Sequence, residues 1–146
     1  DVDIFGGGAI FIDNKGNFLQ EFYPPINKEK INKRFFKANP LIHPTVCMKK
    51  EKIIEIGLYN EYLKYGAEDY ELWVRAWKKG LNIMNMNQLL IKYLYDNKKN
   101  SIHRIIQKYK IQNHIIKKYE FPYWCYLYHF LLFQKDLLVK FGLIKE

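Results

Sequence analysis

Cysteine is scarce in this 146-residue chain: Cys47 and Cys125 stand far apart, in no Cys-x-x-Cys or Cys/His pattern. That excludes a disulfide framework and a structural zinc site, and it suits a reducing, cytoplasmic setting. Long apolar runs are also missing. The longest uncharged stretch, Phe121 to Gln134, falls short of the roughly 20 residues that span a bilayer, and nothing resembles a signal peptide. There is no internal repeat and no low-complexity linker. Gly6, Gly7 and Gly8 are followed by no G-x-x-x-x-G-K-[ST], so a phosphate-binding loop is not indicated and the three glycines read as a bend. An initiator Met is absent as well. The chain opens "DVDIFGGGAIFID", inside what reads as a strand, as a piece of a longer protein would.

Acidic residues are outnumbered, 15 Asp and Glu against 24 Lys and Arg, for a formal charge of +9. Such a surplus suits nucleic acid, anionic lipid or a phosphorylated substrate. The lysines accompany an excess of Asn, Ile and Tyr, a bias toward A- and T-rich codons that weakens the charge as a functional signal. No nucleic-acid motif is present, and basic and aromatic residues do not interleave regularly, so nucleic acid is not the expected partner. At 49% hydrophobic and 17% aromatic, the chain is ordered and about one domain long.

Its segments alternate in type. "AIFIDNKGNFLQEF" reads as a hairpin turning at Asp13 to Asn17. Asn27 caps a short helix with Ile31, Phe35 and Phe36 inward. "NPLIHPTVCMKK" is strand-like at Ile42, Val46 and Met48, with Pro44 implying an edge or irregular strand. A short helix stops near Gly57, a loop runs through Tyr65 and Gly66, and "LNIMNMNQLLIKYLY" gives one or two strands. From Ser101 the chain is helical, with Ile102, Ile105, Ile106 and Tyr109 at helical spacing and a second helix after Pro122. The fold class is α/β with a mixed sheet and a helical C-terminal extension.

The stretch "YGAEDYELWVRAWKKG", residues 65 to 80, carries the most information. Leu72, Trp73, Ala76 and Trp77 fall three, four, seven and eight places after Asp69, the spacing of one buried stripe. Asp69 therefore faces inward at the head of a helix that Gly80 ends in a left-handed cap. Two roles fit such a carboxylate: capping free backbone N–H groups, or accepting a proton at the mouth of a cleft. Trp73 and Trp77 read as core rather than sugar-stacking platforms, and Arg75 as a surface or ion-pair residue.

Taken together, "NPLIHPTVCMKK", "IGLYNEYLKYGAEDYELWVRAWKKG" and a strand pair ending "KYLYDNKKNS" resemble the C-terminal half of the family 2 glycosyltransferases, GT-A fold enzymes that use nucleotide-sugar donors. The resemblance covers roughly residues 1 to 101. Its most specific part joins Asn39, His43, Pro44 and Thr45 to Glu68, Asp69, Leu72, Trp73 and Arg75. It implies a partial, Rossmann-like GT-A domain over 1–100, with 101–146 as the extension. It also implies inverting transfer of a sugar to an acceptor hydroxyl, in surface polysaccharide or glycolipid synthesis. Asp69 resembles the general base, while Glu68, His43 and Thr45 correspond to acceptor-side positions. The family's Mn²⁺ or Mg²⁺ site, an Asp-x-Asp motif, belongs to a preceding nucleotide-binding half. Asp1 and Asp3 read as a chance match to it. Where relatives often carry Tyr-Arg and then His, this chain has Tyr93, Leu94 and Asp96. The resemblance thus implies a nucleotide-sugar donor and a saccharide or lipid-linked acceptor, with cofactor-binding residues unassigned and this segment alone inactive. The aromatic tail suits packing on the domain or on a second copy, or contact with an anionic membrane. A competing reading is a non-catalytic basic binding or assembly module derived from such an enzyme.

Overall fold

A computed structural model describes residues 1–63, 67–95 and 101–144. Tyr65 and Gly66 of the loop before the Asp69 helix, and Asp96, lie outside the described residues.

Strand β1 (Ile4–Ile12) is the centre of a four-stranded mixed sheet. Asp13 Oδ1 accepts the N–H groups of Lys15 and Asn17 at 2.8 and 2.9 Å, and Gly16 takes a left-handed φ of 84°. This turn reverses the chain into β2 (Phe18–Phe22), which pairs antiparallel with Ala9–Ile12 of β1. The two-residue β3 (Cys47–Met48) pairs antiparallel with Ile4 and Phe5, and β4 (Ile83–Leu94) runs parallel to β1 over its whole length. The region "LNIMNMNQLLIKYLY" is thus one strand.

The three glycines do not form a bend. They lie within β1, where β4 spends twelve residues against nine and its register shifts between Gly6 and Ala9. A Cβ on Gly7 would stand 2.6 Å from Leu90 Cδ1, and one on Gly8 2.8 Å from the Phe22 carbonyl oxygen. Glycine is needed because neighbouring strands press closer here than a side chain permits.

Helix α1 (Lys28–Phe35) starts as its sequence indicates, with Asn27 Oδ1 accepting from the N–H groups of Glu29 and Lys30. The strand-like segment that follows is mostly not a strand. Pro44, lacking a donor and fixed in φ, sits instead in a single 3₁₀ turn, His43–Thr45. Helix α2 (Lys50–Ile56) ends at Gly57, in a left-handed conformation with φ 97°. Helix α3 (Glu68–Lys78) is buried on more than one stripe: besides Leu72, Trp73 and Ala76, Tyr70, Glu71 and Val74 are all inside. The reason is cover from two sides, the sheet and the C-terminal helices.

Those helices, α4 (Ile102–Lys118) and α5 (Trp124–Lys140), are joined through a turn at Glu120. Ile115, Ile116, Phe121 and Cys125 belong to the same apolar cluster as Ile4, Phe35 and Trp73. Trp77 stacks on Phe35 with ring centroids 4.9 Å apart and meets Phe121 edge-on, riveting α1, α3 and the α4–α5 turn. Both tryptophans of α3 are core residues. The dehydrated body of the domain therefore sits behind α3, leaving the helix's N-terminal end at its edge.

Candidate active site

At the start of α3 the chain passes through Ala67 in a left-handed conformation, φ 68°, and Ala67 supplies no side-chain cap. Glu68 and Asp69 follow at once, on the positive end of the helix dipole. Asp69 is partly buried, and its two carboxylate oxygens have different partners. Oδ1 accepts the Tyr70 N–H at 2.7 Å, and Oδ2 accepts the Asn39 Nδ2–H at 2.9 Å. The carboxylate therefore does satisfy a first-turn N–H group, one of the two roles open to it, and is also gripped from a distant segment.

Burial raises the Asp69 carboxyl above its ordinary value, the Tyr70 N–H and His43 oppose that rise, and the charge of Glu68 adds to it. A carboxyl shifted upward this way is a stronger base than a free one.

His43 stands across from it on the 3₁₀ turn. Its Nε2 is 3.0 Å from the Tyr59 hydroxyl, and its ring lies edge-on to Trp73, centroids 6.1 Å apart. Burial raises the Tyr59 phenol, and the charges of Asp69 and Glu68 add to the rise. The fold thus brings His43, Glu68 and Asp69 to one edge, with Asn39 and Tyr59 added. Thr45 is different. Its hydroxyl accepts the Gly7 N–H at 3.0 Å and is 2.7 Å from the Ile42 carbonyl, tying the turn to β1.

Asp1 and Asp3 converge on Lys49, whose Nζ is 2.6 and 3.1 Å from their carboxylates, and Asp3 also accepts the Asn82 N–H at 2.9 Å. Those bonds draw the Asp3 carboxyl below its usual value. Among the described residues no three His, Cys, Asp or Glu side chains gather to hold a metal ion. With Lys49 between them, Asp1 and Asp3 are engaged in ion pairs rather than set out as metal ligands.

Comparison with known proteins meets this geometry. No protein-family model matches the chain. An uncharacterized glycosyltransferase of Methanocaldococcus jannaschii is 34% identical over 119 residues, 81% of this chain and 40% of that protein. Over that length the chain is similar to a glycosyltransferase, of which it spans two fifths. The O-antigen biosynthesis glycosyltransferase WbnJ of Escherichia coli is 34% identical over 100 residues, 67% of this chain and 38% of its own length. A UDP-Gal:alpha-D-GlcNAc-diphosphoundecaprenol beta-1,3-galactosyltransferase, also of Escherichia coli, is 38% identical over 66 residues, 44% of this chain and 23% of that enzyme. The chain spans about two fifths or less of these curated relatives.

Three residues that bear on the site are not singled out by the sequence pattern. Asn39 and Tyr59 were visible only as letters of the resembling motif, because what they touch lies far along the chain. Glu71 is fully buried, and Arg75, Lys118 and Tyr119 all bond to it. Arg75 also donates to the carbonyls of Ile56 and Leu58, so it is an ion-pair residue that clamps α2's end onto α3. A glutamate one place off the apolar stripe was the available signal.

Proposed function

We propose that the complete protein is an inverting glycosyltransferase and that this chain provides its acceptor side, with Asp69 as general base. The observation that carries this is the Asp69 carboxylate itself, partly buried, raised toward basicity and fixed on both oxygens. In the reaction an acceptor hydroxyl gives its proton to Asp69 as its oxygen attacks the anomeric carbon of the donor sugar. The bond to the donor's diphosphate breaks in the same displacement, its electron pair leaving with the phosphate oxygen, and the configuration inverts. His43, with Tyr59, and Glu68 border the acceptor.

The donor is a nucleotide sugar, and the acceptor a saccharide or a lipid-linked saccharide in surface polysaccharide or glycolipid synthesis. The printed names of the relatives, one an O-antigen biosynthesis enzyme and one acting on a diphosphoundecaprenol-linked sugar, support that class. The Mn²⁺ or Mg²⁺ that neutralises a leaving diphosphate in such enzymes needs ligands from a nucleotide-binding part outside this chain. By itself the chain turns over little or nothing.

The surface of α5 supports membrane contact as part of this reading. Trp124, Leu127, Leu131 and Leu138 form one stripe, 45%, 58%, 54% and 39% exposed, while residues 101–146 carry eight Lys and Arg against three Asp and Glu. An exposed apolar stripe within a basic segment suits the surface of an anionic bilayer from which a lipid-linked acceptor is drawn. No helix among the described residues is long and apolar enough to cross one.

The deciding experiment is transfer by the complete protein with Asp69→Asn, against a panel of nucleotide sugars and lipid-linked saccharides. Loss of transfer in a folded variant supports the reading, and retained transfer ends it.

A further inference from the structure

Asp69 lies in the first turn of α3, where Ala67 supplies no side-chain cap and the Tyr70 N–H holds only Oδ1. What holds Oδ2 comes from the opposite wall. Asn39 Oδ1 accepts the Leu41 N–H at 3.0 Å, closing an Asx turn over Pro40. Only an oxygen can accept there, so the Asn39 amide has one orientation, and its Nδ2 faces Asp69 Oδ2 at 2.9 Å. The turn is itself anchored. Pro40 is fully buried, and its carbonyl accepts from Asn85 Nδ2 at 3.0 Å, a buried side chain of β4 that also holds the Pro25 carbonyl at 2.9 Å. A rigid line of contacts thus runs from the sheet through Asn85 and Pro40 to Asn39 and ends on the carboxylate.

We propose that Asn39 is the positioning residue for Asp69, fixing the plane of its carboxylate and holding it ionised against the cost of burial. This rests on the reading of Asp69 as base. With Tyr70 N–H on Oδ1 and Asn39 on Oδ2, each oxygen keeps free lone pairs in a set direction, available to one approaching hydroxyl. Donation by a neutral N–H favours the charged form of a carboxylate. Asn39 therefore counters the burial that raises Asp69, without adding a cation that would weaken it as a base.

The substitution that isolates this is Asn39→Asp. A carboxylate there still accepts the Leu41 N–H, so the turn survives, but the donor to Asp69 is replaced by a like charge. The complete protein is labelled with ¹³C at the aspartate carboxyl, and Asp69→Asn identifies the Asp69 resonance. In Asn39→Asp the Asp69 titration midpoint rises by about one unit or more, and the acid limb of kcat/KM moves up with it, while the melting temperature falls at neutral pH and recovers as the pH is lowered. An unmoved Asp69 midpoint in a folded variant overturns the proposal. Asn39→Ser serves where Asn39→Asp does not fold. Its hydroxyl accepts from Leu41 as a turn residue does but is too short to reach Asp69, and the same upward shift is required of it. A shifted midpoint together with full transfer by Asp69→Asn supports the positioning contact and removes the base assignment, so the two failures are distinguishable.

Discussion

Asn39 and Asp69 are 30 residues apart in the chain, and the carboxamide of the first donates to the carboxylate of the second at 2.9 Å. The contact joins the Pro-bounded turn ahead of β3 to the first turn of α3. Between them they define the edge at which the Asp69 carboxylate is held.

Asp69→Asn is expected to lower transfer by the complete protein about 10²- to 10⁴-fold, the usual contribution of a general base. It is also expected to leave the fold intact but to change how stability depends on pH. A carboxyl raised on folding favours the protonated state, so its contribution to stability is greatest below the ordinary value of 3.8 and is lost as pH rises through the raised value. The amide removes that pH dependence, while its single oxygen can accept from only one of Tyr70 and Asn39. Steady-state rates and urea unfolding at several pH values on the same preparation check both, and an unchanged pH dependence of stability would contradict this account.

Glu71 has the opposite electrostatics. Burial pushes its carboxyl up, but the bonds from Lys118, Tyr119 and Arg75 together outweigh burial and leave it below its ordinary 4.5. Its stabilisation is therefore present above that value and is lost as pH falls through the lower folded one. Glu71→Gln should cost roughly 2–3 kcal/mol, somewhat under the usual figure for a broken buried pair because Lys118 can turn to solvent. It should also flatten the loss of stability between neutral and acid pH. Urea midpoints measured across that range test both statements.

Gly7 and Gly8 offer a comparison within one strand. The Cβ of Gly7→Ala meets chiefly the Leu90 side chain, which is 42% exposed and able to move. That of Gly8→Ala meets the Phe22 carbonyl oxygen at 2.8 Å, which belongs to a paired strand. Gly8→Ala should therefore be the more destabilising, by about 1–3 kcal/mol of overpacking against less than 1 for Gly7→Ala. Equal costs would argue against backbone contact as the reason for glycine here.

Thr45→Val removes a buried hydroxyl that the Gly7 N–H needs. The loss should be about 1–3 kcal/mol, the cost of an unsatisfied buried donor. KM for the acceptor, measured on the complete protein at a temperature where the variant is folded, separates that structural role from direct contact. An unchanged KM restricts Thr45 to holding the 3₁₀ turn that carries His43.

The α5 stripe is tested by flotation of the complete protein with vesicles. Binding to phosphatidylglycerol vesicles and not to phosphatidylcholine ones, reduced several-fold by the pair Leu127→Gln and Leu131→Gln, is the expected result. Binding that ignores lipid charge, or is indifferent to the pair, would remove the membrane assignment.

The sequence by itself determined what is local. The Asp13–Asn17 turn, the Asn27 cap, the left-handed stops at Gly57 and Gly80 and the Asp69-to-Trp77 stripe each depend on groups within a few residues, so their signals are written consecutively. The glycosyltransferase motif was legible for the same reason, as blocks of letters in order. Tertiary structure decided the rest. The run Gly6 to Gly8 became strand because β4, reached some seventy residues later, bulges against it. The apolar stripe of α3 widened to take in Glu71 because α4 returns with Lys118 and Tyr119. Asn39 gained a partner because Asn85 fixes the turn that aims it. Hydrogen bonds between segments far apart in the chain leave no periodicity to read, since each partner's position is set only when both segments pack on the same core.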